Sequence, residues 1–220
     1  MTSLKFYYHT FFRPKGLYSF LNRYQSKSKK LLDVGCGNDA SFNIKSRFPE
    51  IYYVGIDIGD YNLTKPNLAD EYLIVQRENF DKSIKNLGNI FDMVISSHNL
   101  EHCDDKYATL HSMLSVVKDG GYVYLAYPCE KSITFPSRRV TLNYFDDKTH
   151  QQTPPAYDYV LNIFSDNNFD IIFKTRSYRP LLLTILGFFQ EPLSRLLKKN
   201  LQGTWALYGF ETIIWAKKRN

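Results

Sequence analysis

Cysteine is scarce in this chain of 220 residues, and the three present, Cys36, Cys103 and Cys129, form an odd, widely spaced set. No paired metal spacing links them, so reduced thiols in a cytoplasmic compartment are the simplest expectation. Long apolar runs are also lacking. The most apolar stretch, PLLLTILGFF from Pro180 to Phe189, falls well short of the roughly 20 residues that a bilayer-crossing helix needs. Met1 to Arg13 has neither the apolar core nor the small-residue cleavage site of a secretory signal, so export is not expected. There is no internal repeat and no low-complexity tract. The formal net charge of +6 is spread over Lys27, Lys29, Lys30, Arg138, Arg139, Arg195, Lys198, Lys199 and Lys217 to Arg219 with no dense basic tract. Nucleic-acid binding is therefore not indicated, whereas an anionic acceptor or surface is compatible.

What is present suits one medium domain spanning residues 1–220: 44% of the chain is hydrophobic and 16% aromatic, ample for a buried core. Short apolar runs alternate with helical stretches, which predicts a parallel sheet covered on both faces. Strands are predicted at Leu31 to Val34, Tyr52 to Ile56, Glu71 to Val75, Phe91 to Ser96, Tyr122 to Ala126, Phe169 to Lys174 and Ala206 to Ala216. Helices are predicted around Pro14 to Tyr24, Ser41 to Phe48, Tyr107 to Val116 and Ala156 to Asn167. Lys118-Asp119-Gly120-Gly121 reads as a glycine-rich turn that breaks the chain before the fifth strand.

The densest signal is Leu31-Leu32-Asp33-Val34-Gly35-Cys36-Gly37, with Asp57 closing the next apolar run. Glycines at a strand end accept positive φ and let a ligand approach the main chain, and an acid about 20 residues later is where ribose hydroxyls are usually held. Gly35, Gly37 and Ala40 also satisfy the dinucleotide fingerprint, which keeps a nicotinamide oxidoreductase open. Asp33 separates the two readings: a carboxylate there opposes a pyrophosphate but complements a cofactor with an amino group and a sulfonium.

At these residues the chain resembles the class I S-adenosylmethionine-dependent methyltransferases, whose first motif reads acid-x-G-x-G-x-G, with Asp39 standing where a third glycine is usual. Phe91 to His102, which runs into Leu100-Glu101-His102, is similar to the family's fourth-strand motif. The resemblance covers roughly Leu31 to Lys217 and implies an α/β, Rossmann-like, seven-stranded, mostly parallel sheet with helices on both faces and the last strand antiparallel. It implies S-adenosylmethionine as cofactor, with Asp33, Gly35 and Gly37 at its methionine part, Asp57 at the ribose, Asn79 and Phe80 around the adenine, and Ser97 at the tip of the fourth strand. His98 would stand near the transferable methyl group, and His102 reads as a capping or packing residue.

The implied reaction is methyl transfer to an oxygen, or a nitrogen, of a small-molecule or glycan-like acceptor, possibly anionic or lipid-linked. No Asn-Pro-Pro-Tyr-type motif for a planar amine follows the fourth strand. Asn143 to His150 resembles an acceptor-side loop. A base there is worth typically about 10²–10⁴ in rate, so His98, His150 and Asp147 are the candidate catalytic residues. No metal site is assigned, although Asp146 with Asp147 offers an alternative that would hold a divalent ion. A degenerate nucleoside-binding or partner domain is the non-catalytic alternative. Residues 1–30, rich in Phe6, Tyr7, Tyr8, Phe11, Phe12, Tyr18 and Phe20, read as a helical cover. Residues 177–203 read as a helical insertion between the last two strands, open to use as a lid, a dimer contact or an interfacial membrane helix. A monomer or homodimer is expected.

Overall fold

Alternation of apolar side chains along the strands divides the core into two layers. In a computed structural model, which describes residues 10–25, 29–60 and 64–220, Leu32, Val94, Val123, Leu125 and Ile214 pack on one face of a sheet, and Leu31, Met93, Ile95, Tyr124 and Trp215 pack on the other. Successive side chains point to opposite faces, so a strand buried on both sides needs an unbroken apolar run, as Leu31-Leu32 and Met93-Val94-Ile95 supply. Phe6, Tyr7 and Tyr8 lie outside the described residues.

The sheet has seven strands: β1 (Lys30–Val34), β2 (Tyr52–Asp57), β3 (Glu71–Ile74), β4 (Phe91–Ser97), β5 (Val117–Pro128), β6 (Phe169–Thr175) and β7 (Glu211–Lys218). Their order is β3-β2-β1-β4-β5-β7-β6, and β7 runs antiparallel to both of its neighbours while the other pairings are parallel. This is the seven-stranded Rossmann-like arrangement that the sequence implied. The order reverses between β1 and β4, and a crevice opens at their carboxyl ends.

The first face carries α3 (Phe80–Lys85), α4 (Lys106–Ser115) and α5 (Tyr157–Asp166) through Phe80, Ile84, Leu110, Met113, Val160 and Phe164. Helix α4 begins at Asp105, whose carboxylate accepts the free N–H groups of Tyr107 and Ala108. The second face carries α1 (Leu17–Tyr24) and α2 (Ala40–Lys45). In α1, Phe20 packs against Tyr124 and Trp215 at ring-centroid distances of 5.6 and 5.5 Å, which docks the amino-terminal helix on the sheet.

Two sequence expectations are corrected. Lys118 to Gly121 does not end the chain's pairing before β5; the strand starts at Val117, bulges between the Phe91–Val117 and Met93–Tyr122 pairs, and continues to Pro128. Residues 206–210 are not strand. Residues 206–208 belong to a short helix, α7 (Thr204–Tyr208), capped by Gly209 at φ 68°, and Phe210 leads into β7 at Glu211. The helix α3 was not anticipated, because its six residues are too few to show a period. Between β6 and β7 stands α6 (Leu181–Leu197), with α7 packed against it. Leu181, Phe188, Phe189 and Leu196 of α6 are exposed. No helix among the described residues is long and apolar enough to cross a membrane.

Candidate active site

The turn after β1 forms the floor of the crevice. Gly35 has φ 70° and Gly37 has φ 55°, both in the left-handed region that residues with a Cβ avoid. A Cβ on Gly35 would lie 2.2 Å from the Asn99 side chain, whereas one on Gly37 would meet nothing within 4 Å. Gly35 is thus required by packing and Gly37 opens onto empty space. Asp39 adopts φ 60° in place of a third glycine. Aspartate tolerates this conformation when its carboxylate finds local donors. Those donors are the N–H groups of Thr64 and Lys65, each at 3.0 Å, and the Thr64 hydroxyl.

Asp57, at the end of β2, holds the turn together. Its Oδ2 accepts the Gly37 N–H at 2.7 Å and its Oδ1 accepts the Ile58 N–H at 2.7 Å. Asp33 is buried, and its Oδ2 accepts the Tyr53 hydroxyl at 2.6 Å. Burial pushes its carboxyl up to about 7 against the opposing effect of the Tyr53 bond, and nearby Asp57 adds to the rise.

A cavity of about 670 Å³ extends from Gly35, Gly37 and Asp57 to His98, His102 and Thr149. Its wall includes Asp57, Glu78, Asp81, Asp104 and Asp105 against one arginine, Arg77, so a chain of net positive charge presents an acidic crevice. That field favours a cationic cofactor over a pyrophosphate. A smaller recess of about 180 Å³, between Leu17 and Tyr18 of α1 and the glycine turn, contains Asp33 and Ser97 and shares Gly35 and Asn38 with the main cavity. The Asn99 Nδ2 is buried without a partner, and Asn99 lines the cavity. An orphaned donor over the glycine turn is a place for a ligand oxygen.

Phe80 lines the main cavity as expected, together with Arg77, Glu78 and Asp81, but Asn79 does not. Asn79 is exposed at the end of the 3-10 turn Arg77–Asn79.

A chain of charges runs from His98, at the other end of the cavity. His98, at φ 55° just past β4, places Nδ1 3.1 Å from Glu101 Oε1 and Nε2 3.1 Å from Glu211 Oε1. Arg13 closes the chain on Glu211 Oε2. Burial alone would drive the His98 ring neutral, but its bonds to the two glutamates outweigh this and raise it to about 9. An imidazolium donating to two carboxylates has no lone pair left for a proton. A base role for His98 would require it to give up one of these partners.

The His150 side chain is 4% exposed, its Nδ1 2.5 Å from the Tyr144 carbonyl and its Nε2 3.9 Å from Asp147 Oδ2. Burial lowers its pKa. Asp147 Oδ1 accepts both the Thr149 N–H at 2.9 Å and the Thr149 hydroxyl at 2.6 Å. Asp146 points the other way. Its carboxylate accepts the N–H groups of Arg138, Leu142 and Asn143 at 2.8–3.0 Å and the Ser137 hydroxyl, so it organises its own loop. Asp146 and Asp147 therefore do not converge on one ion, and the alternative that paired them is set aside. Glu211, Arg13, Asn99 and Thr149 were not singled out in the sequence; Glu211 and Arg13 stand 113 and 85 positions from His98 and carry no local pattern.

Residues 8–173 match the methyltransferase domain family. The chain belongs to it. The family is that of the class I S-adenosylmethionine-dependent enzymes, which removes the nicotinamide alternative and makes S-adenosylmethionine the cofactor class. The 235L protein of Invertebrate iridescent virus 6, described as a methyltransferase, is 30% identical over 114 residues, 49% of this chain and 40% of the relative. The chain spans less than half the length of the curated relatives it matches. Among solved structures, a methyltransferase from Archaeoglobus fulgidus superposes at a TM-score of 0.55 with 20% identity, covering 97% of this chain and 99% of that one. A Haemonchus contortus phosphoethanolamine N-methyltransferase in complex with S-adenosyl-L-methionine superposes at 0.61 with 15% identity, covering 100% of this chain and 58% of that one. At such identities these structures share the methyltransferase fold.

Proposed function

We propose that this methyltransferase domain carries the methyl group of S-adenosylmethionine to an oxygen, or secondarily a nitrogen, of a small-molecule or glycan-like acceptor. The observation that carries the reading is one continuous cavity with a glycine turn and Asp57 at one end and His98, His102 and Thr149 at the other. The residues fit the cofactor in two parts: Asp57 for the ribose, and Asp33, Gly35 and Gly37 of the turn, with Ser97, for the amino-acid tail. Phe80 would cover the adenine.

The reaction is balanced by one proton. The acceptor oxygen attacks the methyl carbon in line with the S–C bond, the electron pair of that bond returns to sulfur to give S-adenosylhomocysteine, and the hydroxyl proton leaves to solvent. Alignment in the cavity supplies much of the advantage. In this reading His98 holds Glu101 and Glu211 in place through its two ring bonds, and Asp147 and His150 shape the wall behind Thr149 and His102. All three act by positioning.

The exposed apolar face of α6, flanked by exposed Lys198 and Lys199, supports presentation of the acceptor at an anionic lipid surface. The test of the transfer itself is a panel of nucleotide sugars, lipid-linked saccharides and phenolic metabolites incubated with methyl-labelled cofactor. Labelled methyl ether and S-adenosylhomocysteine in equal amounts are expected. Cofactor binding with no product from any hydroxyl acceptor, but product from an amine, would transfer the reaction to nitrogen.

A further inference from the structure

The loop of residues 143–151 is tied to the 3-10 turn Leu100–His102 by the Gln151 N–H, which donates to the Glu101 carbonyl at 2.7 Å. This brings His150 beside His102, with ring centroids 4.8 Å apart. One donor atom from each of Glu101, His102 and His150 lies within 4.8 Å of the others. Glu101 is 1% exposed, and its Oε2 is buried with no hydrogen-bond partner. Leaving a carboxylate oxygen unsatisfied inside a protein is costly, and nearly all such atoms find a donor or an ion.

The surrounding hydrogen bonds fix where the lone pairs point. The Tyr144 carbonyl can only accept, so His150 Nδ1 carries the hydrogen and Nε2 is left with its lone pair. Thr149 gives its single hydroxyl hydrogen to Asp147 at 2.6 Å. Its oxygen must then accept from His102 Nδ1, 2.9 Å away, which leaves His102 Nε2 with a lone pair too. Two imidazoles oriented through their second nitrogens, and one buried carboxylate with a bare oxygen, make a ligand set in which each member already has its outer support.

We propose that Glu101, His102 and His150 bind a divalent transition-metal ion on the acceptor side of the cavity. Two imidazoles and a carboxylate suit zinc, manganese or iron better than calcium, whose ligands are oxygens. Three protein ligands leave an open position, as catalytic sites do. Tetrahedral bonds of about 2.0–2.1 Å place donors roughly 3.4 Å apart, so binding draws the three together by up to about 1.4 Å. Glu101 Oε1 stays with His98 Nδ1 at 3.1 Å, and the bare Oε2 is the oxygen offered to the ion. His102 and Thr149 line the cavity, so the open position faces it. In the chemical consequence, which rests on the methyl-transfer reading, a hydroxyl on the ion loses its proton to solvent near neutral pH and presents an oxygen to the methyl group.

The experiment is metal binding by the purified chain. After dialysis against Zn²⁺ and then Mn²⁺, metal analysis of the wild type should give one equivalent, and Co²⁺ should give the visible absorption of a low-coordinate site. His150→Ala and Glu101→Gln should weaken affinity by at least about 100-fold, and Thr149→Val, which removes the acceptor that orients His102, by about 10–100-fold. His111→Ala, at an exposed histidine beside Asn167, should bind as the wild type does. Circular dichroism confirms the fold of each variant, and His102→Gln replaces Glu101→Gln if the latter does not fold. No stoichiometric metal in the wild type, or equal binding by a folded His102→Ala/His150→Ala double variant, overturns the site. Calorimetry with S-adenosylhomocysteine on the same samples keeps the two readings apart: its binding without metal sinks only the ion, and its failure to bind sinks the methyl-transfer reading.

Discussion

His98 Nε2 and Glu211 Oε1 stand 3.1 Å apart, joining the end of β4 to the start of β7 across 113 positions of sequence. Glu211 is buried, and burial would raise its carboxyl, but Arg13 and His98 together hold it down at about 2. Removing one partner of a buried ion pair leaves the other uncompensated.

Glu211→Gln is therefore expected to cost about 3–5 kcal/mol in urea unfolding at pH 6. The pH dependence follows from the two shifts. Glu211, lowered from 4.5 to about 2, contributes stability that is present above pH 4.5 and lost as pH falls through about 2; His98, raised from 6.5 to about 9, contributes stability present below pH 6.5 and lost as pH rises through about 9. The variant should flatten both limbs of a melting-temperature profile, and an unchanged alkaline limb would show that His98 does not depend on Glu211.

Asp33 bears on cofactor affinity. Its carboxyl, raised from 3.8 to about 7, holds its proton in the folded chain over a range where the unfolded chain has lost it. Stability from this group thus falls as pH rises from about 4 to about 7. A cationic cofactor reverses the preference, so S-adenosylmethionine should bind more tightly as pH rises to about 7 and level off above it, with up to about tenfold lost per unit below. Asp33→Asn should bind weakly at every pH by calorimetry. A wild-type affinity independent of pH between 5 and 8 would refute the pairing.

The two glycines of the turn should respond differently to alanine. Gly35→Ala drives a Cβ to 2.2 Å from Asn99 at φ 70°, and is expected to lower both thermal stability and cofactor binding. Gly37→Ala meets only empty space, so it should cost about 1–2 kcal/mol in backbone strain while its methyl group projects into the crevice. A folded Gly37→Ala protein with reduced S-adenosylhomocysteine affinity is the expected outcome, and unreduced affinity would place the cofactor elsewhere.

The apolar face of α6 makes the lipid-surface reading measurable. The wild type should co-sediment with phosphatidylglycerol vesicles at low salt, and a Phe188→Glu/Leu196→Glu double variant should lose at least about tenfold of that binding, since both side chains are exposed at 67% and 80% and leave the core untouched. A wild type that stays in the supernatant but dimerises in sedimentation velocity would assign the face to a second copy.

Asp33, Gly35, Gly37 and Asp57 were legible because they lie within one βαβ unit, where strand period, turn chemistry and a fixed spacing act over neighbouring residues. The unbroken apolar runs likewise determined a sheet buried on both faces, and Asp33 by itself disfavoured a pyrophosphate. Other features depended on what distant segments bring. Asn79 and Phe80 are adjacent, yet of the two only Phe80 lines the cavity: Asn79, exposed, ends a 3-10 turn and Phe80 opens α3. The strand expected at Ala206 became a helix because α7 packs against α6 ahead of the Gly209 cap. Of the two partners of His98, Glu101 is three residues away, but Glu211 comes from β7, the last strand, and is held in turn by Arg13. Glu101, with its bare Oε2, stands beside His102, its neighbour in sequence, and His150, brought in by the loop of residues 143–151: a side chain's free lone pairs are set by its nearest neighbours in space, and the distant ones are chosen by the folded topology, which no local pattern encodes.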